Sequence, residues 1–109
     1  MGVDAVLNEV RQPGTSSRRR RLTQLDVVPD PGEVFVRVCV RSSLPLLGRV
    51  DPYGDLVLTA VEMSQLVAEL DQELAGALTI AEREVLSAVR RLAERCATDA
   101  STELHLVGD

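Results

Sequence analysis

The sequence predicts an α+β domain: a four-stranded, mainly antiparallel sheet with a helical hairpin on one face, in the order strand, strand, strand, helix, helix, strand. Three observations predict it. Residues Glu33 to Arg41 and Glu103 to Val107 alternate with the period of two that a half-buried strand requires. Between Glu62 and Ala97 the apolar spacing changes to three or four, the period of an amphipathic helix, and does so in two stripes. Turn signals at Pro29 to Gly32, Asp51 to Gly54 and Gly76 divide the chain into short elements.

In chain order, Met1 to Val10 places Val3, Val6, Leu7 and Val10 at the spacing of one face of a short helix. Gln12 to Arg21 is polar, rich in helix breakers and like-charged, with nothing to bury. Residues 1–24 are therefore expected to form a flexible basic arm, and residues 25–109 a single α+β domain. In the first expected strand Val34, Val36, Val38 and Val40 point one way, and Phe35, Arg37, Cys39 and Arg41 the other. Leu46 to Val50 is read as a second strand that enters a type I turn. Asp51 starts that turn, Pro52 presets φ at its second position and Gly54 follows at its fourth. The chain then returns along Asp55 to Val61 as a third strand, apolar on both faces and so suited to the middle of the sheet.

Met63, Leu66, Val67, Leu70 and Leu74 form the first helical stripe, which Gly76 should end. Thr79 with Glu82 three residues later is a capping box. The second stripe, Val85, Leu86, Val89, Leu92, Ala93 and Cys96, should run to about Ala97, and Glu103 to Val107 closes the sheet as a last strand. Two helices joined by a few residues pack as an antiparallel pair, and both stripes need one apolar sheet face. The opposite face is left uncovered. The strand alternation assigns it Phe35, Arg37, Cys39 and Arg41, with Glu103 and His105 from the last strand and Arg49 beside them.

Composition narrows the function classes. The 109 residues carry a net charge of −5 and only two aromatic residues, Phe35 and Tyr53, so stacking platforms for bases or sugars are nearly absent. Residues 1–24 hold five arginines against two acids, and the remaining 85 hold seven arginines against fifteen acids. An acidic body disfavours nucleic acid and anionic membranes and favours basic partners. The start of the chain lacks the charged, apolar and cleavage regions of a secretory signal, and no apolar run is long enough to span a bilayer. Cytoplasmic residence is the expectation, with Cys39 and Cys96 as buried free thiols.

Enzymatic motifs are weak. Cys39 and His105 could be neighbours on the open face, where a histidine would activate the thiol, but no glycine-rich loop supplies oxyanion donors beside them. Asp51 and Asp55 flank a wet turn, without the desolvation that raises a catalytic carboxyl. Neither zinc spacing, a calcium loop nor a phosphate-binding glycine pattern is present, so no cofactor or metal is expected.

The leading expectation is a non-enzymatic interaction domain, an acidic binding or inhibitory module of the broad kind to which immunity proteins and antitoxins belong. Its protein partner would dock on Arg37, Arg41, Arg49, Tyr53 and His105. The alternatives are nucleic-acid contact through Arg18, Arg19, Arg20 and Arg21, by salt-dependent counterion release, and a small-molecule site on the open face beside Cys39 and His105. A valine-rich edge strand also leaves pairing with a second copy open, with Arg37 and Arg41 as the charges that oppose it.

Overall fold

A computed structural model describes residues 1–11, 20–76 and 78–108. The strands are β1 (Val3–Arg11), β2 (Arg21–Val28), β3 (Asp55–Thr59) and β4 (Thr102–Gly108), and the helices are α1 (Val34–Arg41), α2 (Met63–Leu74) and α3 (Ile80–Ala97). Single 3-10 turns occupy Leu47–Arg49 and Ala60–Glu62. The fold is α+β. The four strands form one antiparallel sheet in the order β2-β1-β4-β3, three of them preceding the α2 and α3 pair in sequence and one following it.

The alternation of burial along the central strands sorts the two sheet faces. Val3, Ala5 and Leu7 of β1, Leu104 and Leu106 of β4, and Leu56 and Leu58 of β3 are buried on one face. They join Phe35, Val38 and Cys39 of α1, Met63, Leu66 and Leu70 of α2, and Leu86, Val89, Leu92 and Cys96 of α3 in one core. Each leucine withdrawn from water contributes about 2 kcal/mol, so this aliphatic core is the main support of the fold.

The second half of the chain forms as its sequence pattern requires with one exception: Asp55–Thr59, expected in the middle of the sheet because it is apolar on both faces, is an edge strand paired only with β4, and Ala60 and Val61 leave it for a 3-10 turn. The capping box closes: Thr79 Oγ1 accepts from the Glu82 amide at 3.1 Å, and Glu82 Oε1 accepts from the Thr79 amide at 2.8 Å. Arg90 meets Asp71 at 2.7 Å, while Arg83 Nη1 donates at 3.0 Å to the Leu74 carbonyl, so α2 and α3 run past each other in opposite directions. The Asp51 turn also forms, with the Tyr53 amide donating to Asp51 Oδ1 at 2.8 Å and the Gly54 amide to the Asp51 carbonyl at 3.3 Å. It packs on the end of β4, where a Cβ at Gly108 would lie 2.4 Å from the Asp51 carbonyl oxygen.

The first half differs from its expected form in three places. Val3–Arg11 is neither arm nor short helix but an interior strand paired on both sides, and Arg21–Val28 is its edge partner. Residues 3–11 and 21–24 thus belong to the sheet, while residues 12–19 of the expected arm, including Arg18 and Arg19, lie outside the described residues. The helix-like spacing of Val3, Val6, Leu7 and Val10 arose because an interior strand carries apolar residues on both faces.

Glu33 to Arg41 is not a strand. It folds as α1 despite its alternating valines, burying Phe35, Val36, Val38 and Cys39, which share one side of a helix. The buried carboxylate of Asp30 selects it by accepting from the Phe35 amide at 3.0 Å and the Val36 amide at 2.9 Å, two of the donors a helix start leaves unpaired. Leu46 to Val50 is likewise no strand, so the Asp51 turn is not a hairpin tip. Glu69 binds the Leu46 and Leu47 amides and holds the segment in a 3-10 turn.

Candidate docking face

The face of the sheet opposite the core is built by the residues between the buried ones. The register carries one row across all four strands: Val27 opposite Val6, Val6 opposite His105, and His105 opposite Val57. Three aliphatic side chains and one imidazole therefore lie side by side. Val57 is 44% exposed and Val27 is 36% exposed, and Leu22 opposite Val10 extends the apolar area toward the far end of β2.

Carboxylates flank the row. Asp4 and Asp55 stand opposite Val107 on one side, and Glu103 stands opposite Asn8 and Thr59 on the other. Asp4 Oδ1 accepts from the Asp30 amide at 2.8 Å. Glu103 Oε1 is shared between Arg20 Nη2 at 2.7 Å and His105 Nε2 at 3.0 Å, which fixes the imidazole against the sheet. Asp55 is exposed at the end of β3. The face is apolar at its centre and mainly acidic at its margins.

His105 is the one residue of the expected docking set that lies in the row itself. Arg37 and Arg41 moved with the segment that became α1, so both belong to the helical layer instead of the open face. Arg37 donates to the Gly32 carbonyl at 3.3 Å, and Arg41 pairs with Glu82 at 2.6 Å. The Thr79 amide, and after it Arg41, holds the Glu82 carboxyl below its usual range. Arg49 lies in the 3-10 turn, 3.9 Å from Glu62. Tyr53 is 76% exposed on its turn, two residues before Asp55. Arg20 bonds Glu103 and Arg21 begins β2, opposite Arg11.

The pairing of Cys39 with His105 is not made. Cys39 is buried among the helices, and His105 faces the other side of the sheet. Burial, followed by the nearby charges of Asp30 and Glu73, pushes the Cys39 thiol up to about 12. Burial raises Cys96 as well. Both thiols are expected to resist iodoacetamide at pH 8 in the folded protein and to react fully in denaturant, because only the thiolate is nucleophilic. Stoichiometric labelling of either cysteine without unfolding, read by mass spectrometry, would contradict the buried placement.

The valines of the row were the residues that sequence reasoning missed. Val57 was visible as the outward partner of a strand apolar on both faces, but Val6 was hidden by the reading of residues 1–24 as an arm, and Val27, just inside the expected domain, was assigned to no element. Concave space lies beside the outer edge of the row: a groove of about 500 Å³ between β2 and α3, reached by Val27 and lined further by Val28, Pro29, Leu92, Arg91 and Arg95 among others. Among the described residues no group of three or more His, Cys, Asp or Glu is arranged to hold a metal ion, and no helix is long and apolar enough to cross a membrane. No family model, curated protein or solved structure matches this chain.

Proposed function

We propose that this protein is a non-enzymatic interaction module that docks a cationic protein partner on the open face of its sheet. The observation that carries the reading is the row Val27, Val6, His105 and Val57, uncovered by any helix among the described residues and flanked on one side by Asp4 and Asp55. An aliphatic centre supplies desolvation energy, and an acidic margin steers a basic partner. Tyr53 stands beside Asp55 as an exposed aromatic contact of low entropic cost. The reading keeps His105 and Tyr53 from the expected set and replaces Arg37, Arg41 and Arg49 with the valine row. Inhibitory modules of the immunity or antitoxin kind belong to this broad class of acidic interaction domain. Contact with nucleic acid through Arg18, Arg19, Arg20 and Arg21 has less support: among the described residues Arg20 is already bonded to Glu103, and Arg18 and Arg19 lie outside them.

The test is recovery of the partner by tagged protein from its own cells, with Val27→Arg compared against Val61→Arg. Val61 is 87% exposed in the 3-10 turn before α2, outside the row, and serves as the control. Val27→Arg is expected to weaken the complex by about tenfold or more, Val61→Arg to leave it intact, and rising salt to weaken the wild-type complex. Equal recovery with both variants, or a complex indifferent to salt, would remove the open face from the explanation.

A further inference from the structure

We infer that β3 is a self-pairing edge, through which two copies of this chain join their sheets into one of eight strands. The inference starts from the unlike treatment of the two sheet edges. At β2, the register slips between Leu7 and Asn8, so that Leu25 is left as a bulge. The Val27 amide, which alternation turns outward, is bonded by Asp26 Oδ1 at 2.8 Å. A bulge in mid-strand is a device by which an edge strand is kept from pairing.

The β3 edge is regular. Its register with β4 is unbroken from Asp55 to Thr59, and the Gly108 amide donates to the Gly54 carbonyl at 2.8 Å. Strict alternation from that bond turns the amide and carbonyl groups of Asp55, Val57 and Thr59 away from β4. Glu62 Oε1 accepts from the Thr59 amide at 3.0 Å, which agrees with this phase. The Asp55 and Val57 amides are left on an edge with no bulge, no proline and no arginine within the strand.

The occupant follows from the symmetry of the sequence Asp-Leu-Val-Leu-Thr. An antiparallel two-fold centred on Val57 sets Val57 against its own copy, Leu56 against Leu58, and Asp55 against Thr59. No like charges face each other. The two Val57 residues exchange both backbone bonds, and each Asp55 amide meets a Thr59 carbonyl. Side-chain faces are preserved, so the leucines remain on the core side. The row Val27, Val6, His105 and Val57 continues through the two-fold into the same row of the second copy. Each copy carries a net charge of −5, so the pairing strengthens with salt, opposite to the docking of a cationic partner.

The experiment uses sedimentation equilibrium of the full chain alone. Wild type is expected at twice its 11.8 kDa at micromolar concentration, and more fully so at high salt. Val57→Lys and Val57→Glu place like charges at the two-fold and are each expected to weaken the dimer by about tenfold or more. Circular dichroism should show both variants folded, since Val57 is exposed. Mixing the two variants should restore a dimer with one copy of each. A wild type that stays monomeric, a single variant that dimerises like wild type, or a mixture that stays monomeric would each overturn the proposal. None of these outcomes requires the docking partner, so its absence is a separate result.

Discussion

Asp30→Ala is expected to lower the stability of the fold by about 3–9 kcal/mol, because a buried donor left without its acceptor costs about 1–3 kcal/mol and Asp30 serves three. The carboxylate is almost fully buried, and it accepts from the Val3 amide at 3.1 Å as well as from the Phe35 and Val36 amides. One side chain thus ties the first residue of an interior strand to the first turn of a helix. The surroundings leave little room for a rearranged substitute: a Cβ at Gly2 would lie 1.9 Å from the Asp30 carbonyl oxygen, and Glu33 is already turned into the left-handed region at φ 58°. A domain of this size has roughly 5–15 kcal/mol in all, so the variant should sit near its unfolding threshold at room temperature. Asp30→Asn keeps one acceptor oxygen and should fall between the two. Urea titration measures the loss, and amide hydrogen exchange at Phe35 and Val36 locates it. A cost below about 1 kcal/mol would mean that water satisfies those amides and that something else selects the helix.

The same carboxylate explains why part of the fold was legible in the sequence and part was not. Elements whose determinants lie within a few residues were readable: Thr79 and Glu82 start α3, Gly76 follows α2, the Asp51 turn precedes β3, and Leu104 and Leu106 alternate along β4. Elements decided at a distance were not. Leu46 to Val50 read as a strand until Glu69, more than twenty residues on, takes its amides, and the valines of α1 read as a strand because Asp30, although only five residues before Phe35, is held in place by its long-range bond to the Val3 amide. Misreading α1 also displaced the candidate site. Arg37 and Arg41 were placed on the open face only because a strand there would have put them on it. His105 was placed correctly because its own strand was.

Glu69 holds the second long-range link, and its removal is the other large effect expected. Its carboxylate is almost fully buried and accepts from the Leu46 amide at 2.9 Å and the Leu47 amide at 3.0 Å, while Gln65 Nε2 steadies the second oxygen at 2.9 Å. Leu46, Leu47 and Val50 are buried beneath that contact, so freeing the segment would expose aliphatic surface along with the two amides. Glu69→Ala should cost about 2–5 kcal/mol, the sum expected for two orphaned donors with limited rehydration as the segment moves. Gln65, only part-buried, can turn to water and adds little. Glu69→Gln retains one carbonyl oxygen and should lose less. The effect should be local before it is global. The amides of Leu46 and Leu47 should exchange faster at denaturant concentrations where the α3 amides remain protected, because this stretch connects α1 to β3 without a ladder of its own. Unchanged exchange at Leu46 and Leu47 in Glu69→Ala would show that the aliphatic packing alone holds the turn. The buried carboxylate would then have to be explained as a consequence of the fold and not one of its causes.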